Sequence, residues 1–165
     1  MQPLIRRTWA PRGQTPVLRA WDRYDRLSCI GAVTYCPKRR TLSTPFQIHR
    51  DHIRTEEAVD FIRQLRNQLR GPLIICWDRW AVHRSATKKI AASKLKRIHF
   101  EWLPAYCPEL NPVESRWSHA KYGELANWEA KDEKQLKLRV QHTLDQQKDR
   151  ISLAESFFES AKLQI

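Results

Sequence analysis

Two acidic residues occupy positions from which chemistry is possible. Asp78 closes the apolar run Leu73-Ile74-Ile75-Cys76-Trp77, and Glu114 follows 36 positions later in Asn111-Pro112-Val113-Glu114. In α/β sheets, ligands gather at the carboxyl ends of strands, which is where Asp78 falls. Each residue also has an ordinary role open to it. Asp78 would end its strand by accepting backbone amides of the turn. Glu114, third in a helix capped by Asn111, would reach back to complete a capping box. The sequence shows no Ser-His-Asp or Cys-His arrangement that would give either acid a part in nucleophilic catalysis.

The charge balance points to a matching substrate. Thirty Lys and Arg against eighteen Asp and Glu give a net charge of +12 and a pI near 10.0, a field that selects polyanions, with nucleic acid foremost. The turn Lys38-Arg39-Arg40, then Arg79, His83, Lys88, Lys89 and Lys121, are candidate DNA contacts. Contacts to the phosphate backbone carry no sequence information, and each of these residues equally fits a solvated face. Trp117 and Lys121 follow Glu114 by three and seven residues, on the same side of a helix. Cys29, Cys36, Cys76 and Cys107 lack the spacing of a zinc site, and three of them, Cys29, Cys76 and Cys107, stand in apolar surroundings where a thiol reads as a small buried hydrophobe. No apolar run approaches the roughly 20 residues of a membrane span. The segment Met1 to Ala10 carries Arg6 and Arg7 without the apolar core of a secretory signal. The expected location is therefore the cytoplasm, at the nucleoid if the source is prokaryotic.

A chain of 165 residues makes one domain. Prolines and a glycine between Thr8 and Pro16 require a loop. Leu27–Tyr35 and Thr41–His49 read as two strands of an antiparallel hairpin turning at residues 37–40. Ala58, Ile62, Leu65 and Leu69 mark a helix from Thr55 that Gly71-Pro72 ends. Leu73–Trp77 reads as an interior strand buried on both faces. Ser85–Leu95 reads as a short basic helix, and Arg97–Leu103 as a strand halted by Pro104. Asn111 and Pro112 supply the cap and first residue of the next helix. Beyond a polar hinge at Ala130 to Lys134, a C-terminal helical extension spans about 132–165. The order of elements specifies an α/β domain with a mixed sheet flanked by helices.

The segment LPAYCPELNPVESRW, Leu103 to Trp117, closely resembles the third-carboxylate motif of transposases of the insertion-sequence 630 type, in the mariner superfamily. Asp78-Arg79-Trp80-Ala81-Val82-His83 resembles their second-carboxylate motif, and Trp9 to Pro16 resembles the loop after their first strand. The resemblance covers nearly the whole chain. It implies a ribonuclease-H-like fold whose three carboxylates hold two divalent ions, Mg²⁺ or Mn²⁺, with Asp78 and Glu114 as catalytic metal ligands. It further implies DNA cleavage and strand transfer, transposon ends and target DNA as partners, no membrane, and a homodimer in the full-length protein.

Two departures qualify the resemblance. The first catalytic Asp would fall before Gln2-Pro3-Leu4, upstream of Met1, so the sheet would lack its first, central strand. Asp22 and Asp25 are poor substitutes by position. Arg79 replaces the usual asparagine and sets a cation beside the proposed ions. The expectation is a catalytic-domain fragment, N-terminally truncated, with an incomplete two-metal site and no activity alone. The alternative is a non-catalytic DNA-binding remnant or a separately translated part of a transposase.

Overall fold

One register runs through the hairpin, and a proline interrupts it. In the computed structural model, which describes residues 6–17, 26–69 and 71–164, β1 (Ser28–Gly31) pairs antiparallel with β4 (Phe46–His49), and β2 (Thr34–Cys36) with β3 (Thr41–Ser43). Gly31 faces Phe46 and Thr34 faces Ser43, so the same pairing continues across the gap. The gap contains Pro45, which has no N–H to donate, although its carbonyl still accepts from Ala32 N–H at 3.0 Å. The two long strands expected here are therefore four short ones. Gln2-Pro3-Leu4, Asp22 and Asp25 lie outside the described residues.

The hairpin separates two hydrophobic clusters. Ile30 and Ala32 turn toward one built on α1 (Thr55–Gln68), with Ala58, Val59, Phe61, Ile62 and Leu65 at its centre. Cys29, Phe46 and Ile48 turn toward the other, which contains Leu136, Val140 and Leu144. Alternation along a strand is what allows one hairpin to serve both.

β5 (Leu73–Trp77) and β6 (Ile98–Trp102) pair in parallel, Trp77 opposite Trp102. Their inner residues Ile75, Trp77, Ile98 and Phe100 pack on α1 and α2 (Ala81–Ala91). The other face is open: Ile74 is 72% exposed, and Cys76, His99 and Glu101 are exposed beside it. This corrects the reading of Leu73–Trp77 as buried on both faces. A continuous apolar run satisfies one covered face as readily as two, and no described element packs on the second. Cys76 is likewise not a buried thiol.

α2 begins four residues before the expected Ser85, because the turn after Asp78 already starts the helix at Ala81. It ends at Ala91, where Ser93 Oγ donates to Ile90 O and accepts from Leu95 N–H. α3 (Pro112–His119) starts at its expected cap, Asn111, whose side chain accepts from Val113 N–H at 3.3 Å, and passes into a π-helical turn over Ala120–Glu124. The C-terminal extension is two helices, α4 (Glu133–Lys148) and α5 (Ile151–Ser160). Asp132 caps α4 by accepting from Gln135 N–H at 2.7 Å. The described residues thus form a mixed α/β structure of small sheets, two antiparallel pairs and one parallel pair, with five α-helices. No helix among them is long and apolar enough to cross a membrane.

Candidate functional site

Parallel pairing brings the carboxyl ends of β5 and β6 to one edge. Leu103 N–H donates to Trp77 O at 3.0 Å, so the residue after β6 is tied to the last residue of β5 and Asp78 stands beside it. From Leu103 the chain runs through Pro104 and Pro108 and a 3₁₀ turn, Pro108–Leu110, into α3, whose first turn carries Glu114. The result is a cavity of about 430 Å³ lined by both acids, with Arg79, Trp80, Tyr106 and Asn111 among the other walls.

The Asp78 carboxylate is held in orientation. Its Oδ1 accepts Trp80 N–H at 2.9 Å and lies 2.6 Å from His83 Nδ1. An ionised carboxylate only accepts, so Nδ1 carries the shared proton. The imidazole is fixed in turn, stacked on Trp77 with ring centres 4.5 Å apart and met edge-on by Trp80 at 5.3 Å. The turn role open to Asp78 is therefore real, yet it occupies Oδ1 alone. Oδ2 has no partner among the described residues, and the side chain is 52% exposed.

Glu114 does not perform the capping role open to it. Its carboxylate has no hydrogen-bond or ion-pair partner among the described residues. A glutamate does cap α1, where Glu57 accepts from Arg54 N–H at 2.8 Å and backbone hydrogen bonds hold its carboxyl below the ordinary range. An unpartnered carboxylate lining a cavity beside a second one is a suitable donor set for a hard divalent cation. Among the described residues, no group of three or more His, Cys, Asp and Glu converges to hold a metal. What the two acids share is the cavity wall, and both are oxygen donors of the kind a hard divalent ion takes.

The remaining candidates divide by position. Arg79 lines the cavity, and His83 meets Asp78 directly. Lys88 and Lys89 are exposed on α2, where Lys89 pairs with Glu56. Lys38, Arg39 and Arg40 are exposed at the hairpin turn, Arg40 with a φ of 49°. Lys121 does not line the cavity. It is half-buried in the π turn, close enough to Cys29 for its charge to favour the thiolate. Trp117 packs against the hairpin, where a Cβ on Gly31 would approach its Cη2 to 2.9 Å.

Two features were missed in the sequence. Trp80 and Tyr106 expose aromatic faces at the cavity, and both stand inside the quoted motifs, which was the available signal. Arg116 is fully buried. Its guanidinium donates to Gln147 Oε1 and Pro45 O at 3.3 Å and to Leu144 O at 3.5 Å. It also lies 5.2 Å from the Phe46 ring centre and 5.4 Å from that of Trp117. Burial lowers its pKa to about 10, still well above neutrality. This residue ties α3, and so the turn that presents Glu114, to the hairpin and α4.

A family model described as DDE superfamily endonuclease matches residues 2–137, and the chain belongs to that family. Endonucleases of this superfamily generally use divalent metals. No curated protein and no solved structure matches the chain.

Proposed function

We propose that this chain is the catalytic part of a transposase of the insertion-sequence 630 type, in the mariner superfamily. Its reaction in the full-length protein is metal-dependent cleavage and strand transfer of DNA at transposon ends. The reading is carried by the shared cavity of Asp78 and Glu114 at the carboxyl edge of a parallel strand pair. Asp78 Oδ2 and the Glu114 carboxylate are the atoms left to hold Mg²⁺ or Mn²⁺, while Trp80 N–H and His83 keep Asp78 oriented. When bound, the divalent ion activates the attacking oxygen and neutralises charge at phosphate. Arg79 meets phosphate at the cavity, and Lys38, Arg39, Arg40, Lys88, Lys89 and Lys121 hold the DNA backbone around it.

The arrangement belongs to a ribonuclease-H-like sheet, and the full-length protein works as a homodimer in the cytoplasm, at the nucleoid. With two acids among the described residues of the cavity where the family's chemistry uses three, the isolated chain binds DNA without turning it over.

Plasmid nicking and salt titration test the reading. DNA affinity should fall steeply between about 50 and 200 mM salt, and any nicking by the wild type should vanish in Asp78→Ala. Divalent-dependent nicking above background that is equal in both proteins, or a flat salt response, contradicts it.

A further inference from the structure

We infer that the cavity between Asp78 and Glu114 also takes an unpaired nucleobase at a DNA strand end, stacked on Trp80 and Tyr106. The inference rests on the DNA-substrate reading above and adds what part of the DNA the site accepts. Tyr106 is fully exposed, at 101%, and Trp80 is 48% exposed, yet both line the cavity that holds the two acids. Tyr106 also adopts a φ of 60°, a left-handed conformation uncommon for a bulky residue. The neighbouring walls, Leu103, Pro104 and Ala105, are apolar, and Arg79 supplies a cation at the same place. A cavity of about 430 Å³ falls within the range of small-molecule sites, roughly 300–1,000 Å³.

These features match a flat heteroaromatic ring attached to phosphate. Aromatic side chains bind bases through the ring face, which every base offers once it is out of the duplex stack. Extruding a base costs least where it is already unpaired, as at a strand end. The net charge of +12 brings the phosphates to the surface, and the exposed rings then select an end over continuous duplex.

The experiment compares two DNAs of equal phosphate number, a blunt duplex and a duplex with a short 3′ overhang ending in 2-aminopurine, binding to the 165-residue chain. The overhang should bind more tightly, with its fluorescence quenched by stacking. Tyr106→Ala should weaken overhang binding about fivefold or more and leave blunt-duplex binding unchanged, whereas Tyr106→Phe retains the preference; Trp80→Ala should likewise weaken overhang binding. Because Tyr106 is wholly exposed, its replacement removes no core contact. Equal binding of the two DNAs, or alanine variants that bind the overhang like the wild type, overturns the inference while leaving the DNA reading in place. Failure to bind either DNA overturns it too, and Mn²⁺ binding that depends on Asp78 and Glu114 then separates loss of this inference from loss of the wider reading.

Discussion

His83 Nδ1 lies 2.6 Å from Asp78 Oδ1, and the same imidazole is stacked on Trp77 at 4.5 Å with the rings 10° from parallel. The last residue of β5 therefore fixes the histidine that orients the first residue after it. A carboxylate held in this way meets a cation with its free oxygen already placed.

Removing that support should show in metal affinity before it shows in folding. His83→Ala is expected to weaken Mn²⁺ binding by about ten- to a hundredfold, the usual effect of losing a partner that orients a ligand. Isothermal titration with Mn²⁺, with a thermal melt as control, checks it. Unchanged affinity would mean that Asp78 keeps its orientation without the imidazole.

Arg116 is expected to be a large contributor to stability. Arg116→Ala leaves a cavity and removes the donor to Pro45 O, Leu144 O and Gln147 Oε1, which should cost about 3 kcal/mol in urea unfolding. Arg116→Met keeps much of the volume without a buried charge and should cost less. Folding lowers this guanidinium to about 10, so the unfolded chain holds the proton more tightly. Its contribution to stability is then flat below about pH 10 and rises with pH above it.

Gly31→Ala separates packing from strand propensity. Alanine suits a strand at least as well as glycine, but its Cβ would meet Trp117 Cη2 at 2.9 Å and Arg116 Nη1 at 3.1 Å. A loss of about 1–3 kcal/mol in chemical denaturation is expected, and a neutral or stabilising result would show that α3 shifts freely on the hairpin.

The thiols should differ in reactivity. Backbone and side-chain hydrogen bonds from Arg39 pull the Cys36 thiol below its ordinary value, whereas burial pushes Cys29 upward, and partial desolvation by its neighbours together with the Glu101 charge pushes the exposed Cys76 upward. Because the thiolate is the nucleophile, iodoacetamide near neutral pH should label Cys36 ahead of both, with a rate profile whose midpoint falls below that of a free thiol. Peptide mapping during partial alkylation reads the order directly.

What the sequence made legible was local. Asp78 at the end of an apolar run and Asn111-Pro112-x-Glu114 at a helix start are short-range patterns, and both elements stand where those patterns put them. The break at Pro45 was present in the sequence as well, since a proline within a strand cannot donate to the ladder. The open face of β5 was not, because Ile74 and Cys76 are as apolar as the covered residues between them. Nor was Arg116, whose partners Gln147 and Pro45 come from 31 and 71 positions away. Nothing within its own helix distinguishes it from a solvated arginine.

Mn²⁺ binding to the wild type, Asp78→Asn and Glu114→Gln, followed by calorimetry or by paramagnetic broadening of cavity resonances, tests the shared carboxylate site most directly. The proposed site gives binding to the wild type that either substitution weakens at least about tenfold, each removing one of its two proposed ligands among the described residues. Equal Mn²⁺ affinity in all three proteins would contradict it.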